Sequence, residues 1–153
     1  MSKKLLIVYH APSPNTRMLV EALSLTNDPT EYQLSIVAVP ALECQPPDVL
    51  SSDAIILFTP ENLGYMSGGM KDFFDRNYYP CLEKTQGMPF SFVIRAGHDG
   101  TGTRKAIETI TTGLRWRVVQ EPITCRGDFE AGFIDQCEEL GQAMAISLEA
   151  GII

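Results

Sequence analysis

Apolar residues occur along this chain in short continuous runs, such as LLIVY at 5–9 and AIILF at 54–58. Runs of this length without polar alternation predict strands that are buried on both faces, as in the interior of a parallel sheet. FSFVI at 90–94 is nearly as apolar, and QLSIVAV at 33–39 predicts another strand. A fifth strand is predicted at 116–119 or beyond.

Between most of these strands, apolar residues recur at the spacing of an amphipathic helix. The link from residue 40 to residue 52 has the weakest pattern, and Pro46 and Pro47 favour an extended start for it. The predicted inward-facing residues are Met18, Leu19, Ala22 and Leu23; Met70, Phe73 and Phe74; Ile107, Ile110 and Leu114; and Phe133, Cys137, Leu140, Met144 and Leu148.

The alternation of strands and helices predicts an α/β domain with a parallel sheet. Right-handed crossovers restrict the topology, and five strands in 153 residues suit a three-layer doubly wound fold of order 2-1-3-4-5 with helices on both faces. We expect residues 1–153 to form one such domain. In this fold ligands bind beyond the carboxyl ends of the strands, so the loops after strands one, three and four are the candidate site.

The formal net charge of −7 narrows the classes of partner. A surplus of carboxylates disfavours contact with nucleic-acid phosphates and with anionic membranes. The apolar run at 5–9 is too short for a signal peptide, and His10 and Pro12 interrupt it. No stretch approaches the roughly 20 apolar residues of a transmembrane helix. We therefore expect a cytoplasmic protein that binds neither nucleic acid nor a membrane.

The four cysteines, at positions 44, 81, 125 and 137, form no C-x-x-C pair. This spacing indicates neither a zinc site nor a dithiol motif, and we predict no metal site. Two disulfides are compatible with the number of cysteines, but without a signal peptide we expect free thiols.

The first candidate loop, HAPSPNTR at 10–17, opens a predicted helix. The free N–H groups and the dipole at a helix N-terminus attract anions. Ser13 and Thr16 offer hydroxyls and Asn15 offers an amide, while Pro14 lacks an N–H group that the first turn does not need. Neither a Walker loop nor a G-x-G-x-x-G fingerprint is present. The same residues also suit a plain helix cap, so both interpretations stay open.

The second candidate loop begins the segment TPENLGYMSGGMKDFFDR at 59–76. Ser67 is a predicted N-cap. Two glycines follow at the helix start, where each costs about 1 kcal/mol relative to alanine. We therefore expect another group to approach the backbone closely at Gly68 and Gly69. The charged residues of this helix are interpreted as a solvent-exposed face: Lys71, Asp72, Asp75 and Arg76.

The third candidate loop, AGHDGTGT at 96–103, contains three glycines. Glycines allow a backbone to lie directly against a flat ligand. Asp99 or Thr101 is suited to cap the helix that follows. A flexible turn with a helix cap is the alternative interpretation.

Two of these segments resemble a known family. Y-H-x-P-S-P-N-T-R at 9–17 resembles the phosphate loop of the flavodoxin-like superfamily. The segment at 59–76 resembles the second flavin loop and following helix of that superfamily, most closely in its NAD(P)H-dependent FMN reductase and quinone reductase branch. The order of predicted elements matches this superfamily over the whole chain.

The resemblance implies FMN as the cofactor, with its phosphate at the first loop and its isoalloxazine ring against the second. It implies that Gly68 and Gly69 let the helix start pass close beneath the ring or close to a neighbouring subunit. Relatives with this second loop often pair, so the resemblance also suggests a homodimer. The residues expected to contact FMN are His10, Ser13, Asn15, Thr16, Thr59, Pro60, Glu61, Asn62, Leu63, Gly64, Ala96, Gly97 and Asp99.

The resemblance further implies an oxidoreductase that takes electrons from NAD(P)H and reduces quinones or similar flat acceptors. Flavodoxin carriers commonly sandwich the ring between two aromatic residues, whereas Tyr65 is the only aromatic of the second loop and the third loop offers His98. One ring face would then be open to a hydride donor, which favours an enzyme. No side chain is assigned as catalytic, because the flavin carries the chemistry.

Two alternatives to this reductase remain. A flavodoxin-type carrier would exchange electrons with partner proteins through an acidic surface. A phosphate-signalling receiver domain shares the fold, but it needs acidic residues after the first strand and an aspartate after the third. This chain has His10, Ala11 and Pro12 at the first position and Thr59 and Pro60 at the second, which disfavours the receiver.

Overall fold

A computed structural model of the protein describes residues 2–25 and 32–153. The link with the weakest helical pattern contains a short helix, whose first turn accommodates Pro46 and Pro47 because no N–H is needed there. The strands are β1 (Lys3–Tyr9), β2 (Leu34–Pro40), β3 (Ala54–Asn62), β4 (Tyr65–Met66), β5 (Pro89–Ala96), β6 (Arg117–Val118) and β7 (Ile123–Arg126). The helices are α1 (Pro14–Leu23), α2 (Pro46–Leu50), α3 (Gly68–Cys81), α4 (Thr101–Leu114) and α5 (Gly132–Glu149).

The strands form a mainly parallel sheet in the order β2-β1-β3-β5, and both β6 and β7 pair with β5. Only the short β4 is antiparallel among the pairings of the described chain, and it lies against the end of β3. Counted by position, this is the predicted order 2-1-3-4-5, with β6 and β7 sharing the last place. The predicted doubly wound α/β class is confirmed.

The last position of the sheet differs in detail from the prediction. β6 pairs with the start of β5, and β7 pairs with its end. The residues between them, 119–122, outnumber the β5 residues that they face, so the chain bulges there. Pro122 lacks an N–H group for the ladder, and the Ser91 hydroxyl donates to the Gln120 carbonyl at 3.0 Å. The strand predicted at 116–119 is therefore the shorter part of this edge.

Helices cover both faces of the sheet. Adjacent strand residues alternate between two cores, so that Leu6 lies with α2, α3 and α4 while Leu5 lies with α1 and α5. The predicted inward residues are buried or partly buried, with one exception. Met18 is 41% exposed and Val20 is buried instead, because Val20 shares the inner face of α1 with Leu19 and Leu23.

All four cysteines are buried free thiols, as the sequence predicted. Burial raises the pKa of Cys44 to about 12 and also raises the pKa of Cys81, so both stay protonated at neutral pH. The Cys137 thiol donates a hydrogen bond to Cys125, which lowers the pKa of Cys125 and raises that of Cys137. In the described residues, no helix has the length and apolarity to cross a membrane, and no cluster of three or more potential metal ligands is present.

Candidate functional site

The three candidate loops meet at one edge of the sheet. β1, β3 and β5 are parallel neighbours, so their carboxyl ends lie side by side. The His10 N–H donates to the Phe58 carbonyl at 3.0 Å and joins the first loop to β3. The Glu61 carboxylate accepts hydrogen bonds from the third loop. The convergence that the strand order predicts is therefore present.

The first loop begins α1 with a capping box. The Thr16 N–H donates to Ser13 Oγ at 3.1 Å, and the Ser13 N–H donates to Thr16 Oγ1 at 3.0 Å. The helix-cap interpretation is thus correct for these two residues. Within the described chain, the N–H and side chain of Asn15 make no hydrogen bond. Asn15 is also exposed, so its N–H and side-chain amide are accessible donors at this helix end.

The second loop is a β-hairpin. β3 continues to Asn62, and β4 folds back so that Asn62 pairs with Tyr65. The two residues between them, Leu63 and Gly64, have φ angles of +54° and +74°, as a tight two-residue hairpin turn requires. A leucine in this left-handed conformation costs roughly 1–2 kcal/mol. Leu63 is nevertheless fully exposed at the tip, where it is available for contact.

Thr59 and Ala96 were both expected to contact a cofactor, but their side chains are fully buried. The Thr59 hydroxyl oxygen accepts from the Ser67 N–H at 3.1 Å, and Ser67 Oγ accepts from the Met70 N–H at 3.2 Å. Ser67 is therefore the N-cap of α3, as predicted. Thr59 and Ala96 support the hairpin and third loop from beneath, and any side-chain contact with a ligand falls to the residues that follow them.

The two glycines at the start of α3 have different surroundings. A Cβ at Gly69 would lie 3.0 Å from two ring atoms of His10, whereas a Cβ at Gly68 would meet nothing within 4 Å. Within this chain, the group that approaches Gly69 is therefore the imidazole of His10. The approach of a cofactor ring or a neighbouring subunit to Gly68 and Gly69 stays a prediction. His10 Nδ1 is buried without a hydrogen-bond partner in the described chain, so this ring forms part of the wall between the first loop and α3.

The third loop is held by two carboxylates. Glu61 accepts from the N–H groups of His98 and Gly100, at 3.0 and 2.9 Å. Asp99 Oδ1 accepts from the Thr101 N–H at 3.0 Å, and this bond lowers the pKa of Asp99. The N-cap of α4 is nevertheless Gly100, which has no side chain to cap the helix, so the prediction that Asp99 or Thr101 is the N-cap was wrong. Asp99 precedes the N-cap and accepts from the first N–H of the helix.

The second loop and α4 touch backbone to backbone. A Cβ at Gly102 would overlap the carbonyl oxygen of Gly64, so only glycine fits at this position with the present geometry. Sequence analysis did not single out Gly102 or the role of Glu61. The available signal for Gly102 was the presence of a glycine at the second position of a predicted helix. No local sequence pattern indicated the role of Glu61.

Arg76, the last residue of the segment at 59–76, has a structural role that the sequence interpretation missed. Arg76 donates to the carbonyls of Ala41 and Cys44, at 2.7 Å each, and its Nε lies 2.7 Å from Asp72. The side chain thus ties α3 to the turn that follows β2. Lys71, in contrast, makes only an exposed ion pair with Asp75, in line with the predicted solvent-exposed face.

We expect Arg76→Ala to destabilise the fold by about 2–3 kcal/mol, because it removes two charged hydrogen bonds from carbonyls that have little access to water. Arg76→Lys is the matched control, since it keeps the charge and loses the fork that reaches both carbonyls. Urea denaturation followed by circular dichroism measures both changes. We expect lysine to recover less than half of the loss. Full recovery by lysine would show that charge, not geometry, is what matters at this position.

Solved structures with the same architecture include a flavodoxin, an oxidoreductase and a flavodiiron core. A flavodoxin from the Archaea superposes with a TM-score of 0.79 at 17% identity, over 95% of this chain and 98% of that one. An oxidoreductase from Corynebacterium diphtheriae gives 0.70 at 19% identity, over 98% of both chains. The chain has the flavodoxin-like fold. A flavodiiron core from Synechocystis gives 0.78 at 14% identity, over 98% of this chain but 37% of that larger one. No protein-family model and no curated protein matches the sequence.

Proposed function

We propose that this chain binds one FMN at the edge where the three loops meet and uses it to pass electrons from NAD(P)H to a quinone-like acceptor. The observation that carries the proposal is the juxtaposition of a helix N-terminus that has free donors with an exposed hairpin and a glycine-rich loop. The first suits the phosphate, and the other two suit the edge of a flat ring system.

The donors at the first loop fit a phosphate. Asn15 offers its unpaired N–H and its side-chain amide. Within the capping box, the Thr16 hydroxyl also donates to the Ser13 carbonyl at 3.0 Å, and the two hydroxyl oxygens lie 2.8 Å apart. A hydroxyl proton can rotate to another acceptor, so these two side chains can donate to a phosphate by exchanging bonds that they now make within the turn. The helix dipole adds a favourable field for a negative charge.

The second and third loops fit the ring. Residues 62–65 of the hairpin are exposed, and Tyr65 keeps 39% of its surface accessible. In the facing loop, Gly97 is exposed and a Cβ there would meet nothing within 4 Å, so the loop backbone is accessible at this residue. When bound, FMN supplies the acceptance and release of a hydride or of electrons. The residues of this chain hold it, orient it and leave one ring face accessible.

The resemblance of the motif at 59–76 to the reductase branch supports an enzyme, and so does the small number of aromatic residues beside the hairpin. The net charge of −7 and the likeness of the fold to flavodoxins favour the second candidate, an electron carrier that works through a partner reductase.

Anaerobic stopped-flow mixing of the FMN-loaded protein with NADH or NADPH distinguishes the two functions. We expect the flavin absorbance to bleach directly and to recover when a quinone such as menadione is added. Bleaching only after a catalytic amount of a flavodoxin reductase is added would contradict the enzyme and support the carrier.

A further inference from the structure

The side chain of Glu61 joins the two loops that flank the proposed ring site. Its two carboxylate oxygens accept separate backbone hydrogen bonds from the third loop, Oε1 from His98 at 3.0 Å and Oε2 from Gly100 at 2.9 Å. Among the ion pairs of residues 2–25 and 32–153, none involves Glu61. The carboxylate is therefore committed to the backbone of the facing loop and not to a cation.

Without the hydrogen bonds to Glu61, ordering the third loop would cost conformational entropy. It contains Gly97 and Gly100, and Gly100 has a φ angle of +71°. Glycines lose more conformational freedom on ordering than other residues, so a ligand that had to order this loop would bind more weakly. Two charge-assisted hydrogen bonds offset that cost before any ligand arrives.

The hairpin also contacts the start of α4. The Gly64 carbonyl lies directly against Gly102 at the start of α4, so the hairpin is in contact with the third loop through Glu61 and with α4 through its turn. The hairpin, the third loop and the first turn of α4 thus form one connected wall.

We propose that Glu61 is a positioning residue that fixes the third loop against the hairpin, so that both sides of the ring site are in place before the flavin binds. This inference rests on the proposed function. It assigns Glu61 a role through the loop backbone, whereas the resemblance implied only that the residue lines the flavin.

The proposal makes a prediction that separates the ring end of the site from the phosphate end. Glu61→Gln keeps the shape of the side chain but replaces one acceptor oxygen by an NH₂ group, which cannot accept from an N–H. We expect the dissociation constants of riboflavin and FMN to rise by the same factor, about tenfold, as expected for the loss of one charge-assisted hydrogen bond. The phosphate is remote from the change, so the ratio of the two constants stays constant.

Two further readouts distinguish positioning from a general loss of structure. In the flavin-free protein, NMR-detected hydrogen exchange of the His98 and Gly100 amides is expected to accelerate at least tenfold in Glu61→Gln, while the amides of β1 keep their rates. The midpoint potential of bound FMN is expected to rise, because a negative charge has left the ring side of the site. Glu43→Gln is the matched control: Glu43 is exposed on the turn after β2, and its neutralisation is expected to change none of these values.

Each outcome decides between the two claims. If the wild-type protein binds neither flavin, the proposed function fails, and the positioning role fails with it. If the wild-type protein binds both flavins and Glu61→Gln binds them equally well, only the positioning role is overturned. Faster amide exchange without a loss of affinity would also overturn it, because Glu61 would then be a loop restraint with no influence on the ligand.

Discussion

Replacing Gly102 by alanine is expected to destabilise the protein by about 2–3 kcal/mol and to weaken FMN binding more than tenfold, because the new methyl group overlaps backbone. The Cβ would collide with the carbonyl oxygen of Gly64, and a carbonyl within a paired hairpin cannot turn aside as a flexible side chain does. α4 and the hairpin must therefore move apart. Without this collision, replacing a helical glycine by alanine would raise the free energy of unfolding by up to about 1 kcal/mol. A decrease in the free energy of unfolding would therefore indicate that the Cβ collides with the hairpin.

Gly68→Ala is the matched control for this substitution. Gly68 is the first residue of α3 and Gly102 is the second residue of α4, but a Cβ at Gly68 would meet no atom within 4 Å. We expect this variant to be as stable as the wild type or more stable, because alanine is the better helix former. Urea denaturation measures the stability of both variants, and flavin fluorescence titration measures the FMN affinity of Gly102→Ala. A Gly102→Ala protein with wild-type stability and affinity would show that the hairpin and α4 are not held together as described.

The double substitution Asn15→Ala with Thr16→Ala is expected to weaken FMN binding more than tenfold, since each charge-assisted hydrogen bond to the phosphate contributes about 1.5–3 kcal/mol. Riboflavin, which lacks the phosphate, is expected to bind with unchanged affinity. The substitution also removes half of the capping box, which costs about 1 kcal/mol of stability. That cost applies equally to both ligands and does not change their relative affinity.

The comparison of FMN with riboflavin therefore serves as the internal control for the first loop. Fluorescence titrations of both ligands against the wild type and the double variant give four dissociation constants. Loss of the preference for FMN would support the placement of the phosphate beside Asn15. Equal weakening of both ligands would assign the effect to a distorted helix start, and an unchanged preference would place the phosphate elsewhere.

The buried framework of the fold was predictable from local patterns. The runs at 5–9, 54–58 and 90–94 became the central strands β1, β3 and β5, because uninterrupted apolar runs have no face that can be left in water. The strand order alone therefore predicted that the loops after these strands meet at one edge of the sheet, without information on side-chain contacts. The N-cap of α3 was also readable, because capping depends on one residue and its local backbone.

The details of the site depended on contacts between distant segments. The apolar run that predicted the third strand ends at residue 58, yet β3 extends through Pro60 to Asn62 and its end pairs with β4. The partner of Gly69 is His10, far away in sequence. The bonds from Glu61 to His98 and Gly100 likewise exist only because β3 and β5 are neighbours. Periodicity in one segment carries no information about such pairs.

A titration of FMN with the purified protein, followed by flavin fluorescence and visible absorbance, tests the central claim most directly. The account predicts saturable quenching at one FMN per chain, with the absorbance peaks of bound flavin and tighter binding of FMN than of riboflavin. Flavin fluorescence and absorbance that remain those of free FMN at a large excess of protein would contradict it.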